Sequence, residues 1–110
     1  MRKYCLSLLL LLLLQIAYAV DPPKREIRGV WLTTVYGLDW PQKPATTEAG
    51  RKAQQREVCD ILDRLQDANF NTVFLQVRLR GDVIWRSQVE PASKTFSGKY
   101  GVMPGYDPLA

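Results

Sequence analysis

The sequence contains no histidine and only two cysteines among its 110 residues. Without histidine there is no Ser-His-Asp or Cys-His catalytic arrangement within this chain, no imidazole metal ligand, and no side chain whose unperturbed pKa lies near neutrality. Two cysteines cannot build a four-thiolate zinc site. One of them, Cys5, lies in a segment that reads as removable, which leaves Cys59 as a single thiol and excludes a disulfide scaffold. Cys59 itself reads as a small helix-packing group. A Gly-rich phosphate loop is missing as well, since Arg80-Gly81-Asp82 carries a single glycine and its surroundings match no nucleotide fingerprint. Acid–base chemistry in this chain would have to rest on carboxylates. What is present, 46% apolar and 24% charged residues with a formal charge of +4, suffices for one small globular domain.

Met1 to Ala19 reads as a secretory signal. Arg2 and Lys3 supply the positive start, Leu8 to Leu14 form an unbroken leucine run, and Ala17-Tyr18-Ala19 fits the small-x-small cleavage pattern. The alternative is an uncleaved anchor, but Ser7 and Gln15 interrupt a stretch that barely reaches the length needed to cross the hydrocarbon core. The reading therefore predicts export to the periplasm or the extracellular space, with no membrane association after cleavage. Cleavage removes two cationic residues and lowers the formal charge from +4 to +2. The remaining basic residues are spread out and interleaved with acids, which argues against a nucleic-acid partner.

Residues 20 to 25 form an extended lead-in around Asp21-Pro22-Pro23, because proline disfavours helix at its own position and at the one before. From Ile27 to Val35 the chain is rich in β-branched and aromatic types, with apolar residues on both alternating faces, as in a strand of a parallel sheet. A turn-rich loop, Tyr36 to Thr47, leads to a helix from about Glu48 to Ala68. Thr46 or Thr47 caps it, and Val58, Ile61, Leu62, Leu65 and Ala68 fall on one face. Asn69 suits the left-handed position that closes a helix, with Phe70 folding back. Asn71 to Arg78 is a second strand, with Val73, Leu75 and Val77 on one face and Thr72, Phe74, Gln76 and Arg78 on the other. Strand, helix, strand at this spacing predicts a right-handed βαβ unit of an α/β protein. Leu79 to Ala110 reads as one long irregular loop. At its end Asp107 is placed to cap a helix beginning at Pro108, which predicts the front piece of something larger.

These residues resemble the glycosyl hydrolase-like 10 family, an exported bacterial group also known as domain of unknown function 187. Arg25 to Thr34 followed by Leu38-Asp39-Trp40-Pro41 is similar to its first strand and loop. Phe70 to Arg78 followed by Arg80-Gly81-Asp82 is similar to its second, and Glu90-Pro91, Ser93, Gly98 and Gly105 to Leu109 follow in the family's order. The resemblance covers about Lys24 to Ala110. It implies that residues 26 to 110 are the amino-terminal, incomplete part of a (β/α)8 TIM-type barrel whose full-length form hydrolyses glycosidic bonds, with bacterial cell-wall glycan (peptidoglycan) among the implied substrates and no obligatory cofactor. Leu79 stands where the family pattern has proline, and Ala92 where it has tryptophan.

In such barrels the site is built from loops at the carboxyl ends of the strands, here Tyr36 to Pro41 and Arg78 to Trp85. Substrate contact is accordingly assigned to Tyr36, Asp39, Trp40, Gln76, Arg78, Arg80 and Asp82, with Trp85 as a further flat apolar surface. Aromatic rings stack on sugar faces, and the polar groups bond hydroxyls or a carboxylate. The competing reading has Arg78 or Arg80 bracing the loop by pairing with Asp82, Gln76 satisfied by its neighbours, and Trp31 and Trp40 packed in core and loop. Asp39, Asp82 and Glu90 are carboxylates, but the acid and nucleophile of such a barrel normally arise on later strands, so the catalytic residues stay unassigned. By this reading the chain alone is inactive. The alternatives are a non-catalytic carbohydrate-binding or interaction fragment, and an unstable gene remnant. Oligomeric state is open at this level.

Overall fold

The computed structural model describes residues 25–110. The signal segment and most of the lead-in lie outside the described residues. Strand β1 (Gly29–Leu32) is followed by a 3-10 turn (Val35–Gly37), helix α1 (Glu48–Asp67) and strand β2 (Thr72–Leu75). A hairpin of β3 (Arg78–Leu79) and β4 (Asp82–Val83) comes next, then a single-turn helix α2 (Lys94–Ser97).

The expected βαβ unit is present. β1 and β2 pair in parallel, Gly29 opposite Thr72 through Leu32 opposite Leu75, with α1 as the connection. Both strands are shorter than their apolar patterns, because each has one paired neighbour among the described residues and the ladder ends where that neighbour turns away. Helix α1 begins where a cap permits it: the Thr47 side chain accepts from the Gly50 amide at 3.2 Å. It ends at Asn69, whose φ of 64° lets the Asn69 and Phe70 amides turn back onto the Gln66 and Leu65 carbonyls.

The two faces of the sheet differ. Leu32 and Leu75 lie on the face towards α1, where Val58 and Ile61 meet Leu75 and Val77 around a buried centre of Trp40, Ile84 and Phe96. The opposite face carries Trp31 and Phe74, opposite one another in register and 64% and 48% exposed. Trp31, read as a core residue, is open among the described residues, where no layer covers that face of the sheet. On the same open face Phe74 lies across Gly29, where a Cβ would stand 2.5 Å from a ring carbon, so a larger residue there would push the Phe74 ring aside. Cys59 is exposed on α1 and takes no part in packing.

The segment after β2 is more ordered than a long irregular loop. Arg80 and Gly81 both have positive φ, 44° and 82°, and form the two-residue turn between β3 and β4. Fully buried Val83 then pins the rest. Its amide donates to the Pro91 carbonyl at 3.0 Å, and its carbonyl accepts from the Ser93 amide at 2.8 Å. Ser93 caps α2, whose Phe96 carbonyl accepts from Ala45 at 2.7 Å and ties this segment to the first loop. Asp107 accepts from the Leu109 amide at 3.0 Å, but the residues after it form a turn and not the helix expected to begin at Pro108.

Gln54 joins these layers. It is the one fully buried residue of α1. Its side-chain amide donates to the Lys43 and Phe96 carbonyls at 2.8 and 2.9 Å, and its side-chain oxygen accepts from the Tyr106 hydroxyl at 2.8 Å. Partial burial, with a smaller push from the charge of Glu57, raises the Tyr106 pKa from 10.0 to about 12. The folded state therefore holds this proton more tightly than the unfolded chain does. Its contribution to stability is complete below pH 10 and is lost as the pH rises towards 12. A tyrosinate absorbance titration of the folded chain should show one tyrosine ionising late, and Tyr106→Phe should flatten the fall in stability over that interval.

Candidate functional site

Parallel strands point their carboxyl ends the same way, so the loop after β1 and the hairpin after β2 emerge side by side. Two hydrogen-bond systems set their shape. At the end of β1 the Thr33 amide donates to Asp39 Oδ2 at 2.8 Å, which closes the 3-10 turn back onto the strand. Gln76 locks the two strand ends together: its side-chain oxygen accepts from the Thr33 hydroxyl and, at 3.2 Å, from the Thr34 amide. Its backbone carbonyl accepts from the Thr34 hydroxyl at 2.9 Å, and its amide donates to Leu32 at 2.9 Å. Thr33 is the common partner of Asp39 and Gln76, and nothing in its type or spacing singled it out.

The loops touch through Tyr36 and Arg80. Arg80 Nη1 donates to the Tyr36 hydroxyl at 2.8 Å, and its guanidinium carbon lies 4.7 Å from the centre of the Tyr36 ring. Tyr36 is 70% exposed. Beside this contact is a cleft of about 290 Å³ between Tyr36, Pro41, Gln42, Arg80 and Lys94.

Two expectations about these side chains are corrected. Trp40 is no sugar platform in this arrangement: it is 2% exposed, meets Phe96 edge-on at 4.9 Å, and donates its indole N–H to the Gln54 carbonyl at 2.9 Å. The bracing ion pair does not involve Asp82. Arg78 pairs with Glu90, its Nε and Nη2 both 2.6 Å from Oε1, and this partner raises the already high pKa of the guanidinium through its hydrogen bond and charge. Asp82 is buried, and its Oδ1 has no hydrogen-bond partner among the described residues.

Of the seven assigned residues, the structure thus brings together Tyr36 with Arg80 and Asp39 with Gln76. It ties Arg78 to Glu90, leaves Asp82 apart and sends Trp40 to the core. Trp85 is half-buried beside a separate hollow lined by Ser87, Glu90 and Met103. Lys94 was not anticipated, because it reaches the cleft only through the return of the chain along Val83 and Ala92.

A larger cleft lies elsewhere. It measures about 610 Å³ and lies along the seam between β1 and α1, lined by Val30, Leu32, Ile61, Leu65, Arg56 and Asp60 among others. Its lining is that of an open packing seam and holds none of the strand-end pairs except Asp39 at one end. Among the described residues no group of three His, Cys, Asp or Glu side chains is placed to hold a metal ion, and no helix is long and apolar enough to cross a membrane.

Comparison with known proteins gives one answer from two directions. The model of the family described as "Glycosyl hydrolase-like 10" matches residues 26–110. The chain is similar to glycosyl hydrolase DigH of Escherichia coli (strain K12), 42% identical over 89 residues, which cover 77% of this chain and 20% of that protein. It is similar also to glycosyl hydrolase YngK of Bacillus subtilis (strain 168), 37% identical over 86 residues, covering 78% of this chain and 16% of that protein. The chain spans about a fifth of the length of the curated relatives it matches. A small α/β unit with one parallel strand pair, its connecting helix and both strand-end loops, matched over residues 26–110, belongs to the glycosyl hydrolase-like 10 family.

Proposed function

We propose that this chain supplies the first strand–helix–strand unit of an exported (β/α)8 barrel that hydrolyses glycosidic bonds in an extracytoplasmic glycan, with bacterial cell-wall glycan as the substrate class. The observation that carries this reading is the meeting of the two strand-end loops at Tyr36 and Arg80, at the end of a parallel pair where barrel enzymes bind substrate. The exposed Trp31 and Phe74 face supports it, since bulky apolar side chains on that face suit the interior of a closed barrel. So does the β1–α1 seam, which has the lining expected where a neighbouring helix packs.

In this reading the residues here hold and orient the sugar. Arg80, Tyr36 and Gln76 lie at the strand ends. The pair of carboxylic groups that protonates the leaving oxygen and attacks or activates water comes from other strands, so the chain alone releases no reducing ends. The test is a chimera in which residues 26–110 replace the matched segment of the E. coli relative, assayed beside its parent on purified bacterial wall glycan. Reducing-end release within about tenfold of the parent is the expected result, a loss below about 1.4 kcal/mol of transition-state stabilisation. A chimera with the parent's circular dichroism and no release would overturn the reading.

A further inference from the structure

We propose that the cleft between Tyr36, Arg80 and Lys94 is a subsite for a pyranose that carries a carboxylate. The inference rests on the glycan reading above and specifies which sugar the amino-terminal unit selects.

Backbone geometry is the first ground. Among the described residues three non-glycine positions have positive φ: Asn69, Tyr36 and Arg80. Asparagine at a helix end is ordinary, whereas bulky side chains are disfavoured in that region. The first position of the β3–β4 turn suits Asn, Asp or Gly, and Arg80 stands there at φ 44°. Tyr36 stands in its own turn at φ 52°. Two local choices against backbone preference, in two different loops, put these side chains against each other. Strain held at a point where loops converge is a mark of a working site.

The chemistry of the cleft is the second ground. Arg80 lies over the Tyr36 ring, and Tyr36, 70% exposed as a residue, keeps apolar surface on which the C–H face of a sugar can lie. Its hydroxyl accepts from Arg80 and retains its own hydrogen for a ligand oxygen. Arg80 uses one N–H on Tyr36 and has four left in its planar fork, the geometry that grips a carboxylate with two parallel bonds. Lys94 adds a second positive charge from α2. No Asp or Glu lines this cleft, and neither Arg80 nor Lys94 has an ion-pair partner among the described residues. Two uncompensated cations beside an open ring select an acidic sugar over a neutral one.

The test is NMR titration of the full chain with two matched pairs: methyl glucuronide against methyl glucoside, and N-acetylmuramic acid against N-acetylglucosamine. Each pair differs by a carboxylate, as a uronic acid or as a lactyl ether, and the pair that discriminates names the source. The expected result is at least tenfold tighter binding of the acidic member in one pair, weakening as salt is added. Arg80→Gln with Lys94→Gln should bring that member to the level of its neutral counterpart, and Tyr36→Ala should weaken both. Retention of the buried Trp40 indole N–H signal shows that each variant is folded, and Arg80→Gly, which relaxes the turn, serves as a second variant lacking the guanidinium. Equal binding of both members in both pairs, no binding of either acidic sugar at tens of millimolar, or discrimination unchanged in folded Arg80→Gln/Lys94→Gln chain would each overturn the subsite. An active chimera together with any of these outcomes would defeat the subsite and leave the glycosidase reading standing.

Discussion

Trp40→Ala is expected to leave the chain without a cooperative fold. The indole is 2% exposed at the centre of a core whose other fully enclosed members are few, so the cavity has little surrounding structure able to collapse into it. Truncation of a buried tryptophan costs about 3–5 kcal/mol in domains of ordinary stability. Here it also removes the edge-on contact with Phe96 at 4.9 Å and the bond from the indole to the Gln54 carbonyl. A domain of this size has about 5 kcal/mol or less in total, so the loss is comparable with the whole. Near-ultraviolet circular dichroism and urea unfolding should show a lost signal and no transition for Trp40→Ala. Trp40→Phe keeps an aromatic ring and forfeits mainly the indole bond and some volume, so it should retain a transition at reduced stability. A cooperative Trp40→Ala chain with nearly unchanged midpoint would refute the placement of this side chain.

Gln54→Leu is expected to have the next largest effect, for the opposite chemical reason. Leucine has nearly the same volume and a more favourable transfer energy, so a position that merely needed filling would gain from it. Gln54 instead donates to two carbonyls and accepts from the Tyr106 hydroxyl. Phe96 keeps a second donor in the Ala45 amide, but Lys43 loses the partner that Gln54 supplies. A buried group left without a partner costs about 1–3 kcal/mol, and the junction of α1, the first loop and the carboxyl-terminal segment loses three bonds together, which sets the expected loss at about 2–3 kcal/mol. Urea midpoints for Gln54→Leu, Tyr106→Phe and the double variant measure how much passes through their shared bond. A coupling of about 1 kcal/mol is expected for that one contact. A stabilised Gln54→Leu chain would show that the buried amide is not a structural junction.

The same two residues mark the limit of what periodicity conveys. Of the five residues the spacing puts on one face of α1, Val58, Ile61 and Leu65 are partly buried while Leu62 and Ala68 are exposed, and the most buried position of that helix is a glutamine. Apolar spacing registers where hydrocarbon is needed. It is blind to a helix position facing loop carbonyls, because those carbonyls arrive from residues 43 and 96, far away in the chain. Trp40 shows the converse. A tryptophan in a Pro-rich loop after a strand has the composition of a sugar platform, and only the packing of Phe96 against it makes it core.

By itself the sequence determined the first strand, the long helix, the second strand and their order. The Thr47 cap, the left-handed Asn69, the alternation through β1 and β2 and the crossover that makes them parallel all follow from interactions within a few residues or from the steric rules of a strand–helix–strand connection. The family could be read there too, because its motif order is a property of the chain. Tertiary structure alone decided the pairings. Arg78 took Glu90 in place of Asp82, Arg80 took Tyr36, Lys94 joined the cleft, and Trp31 stayed on an open face. The hairpin that arranges these choices turns on Arg-Gly, a weaker signal than Asn-Gly, and is held in place by Val83 against Pro91 and Ser93. Each of these contacts joins residues that gain nothing from one another until the loops are closed. The energy that selects a partner is therefore set by the folded geometry and not by neighbours in sequence.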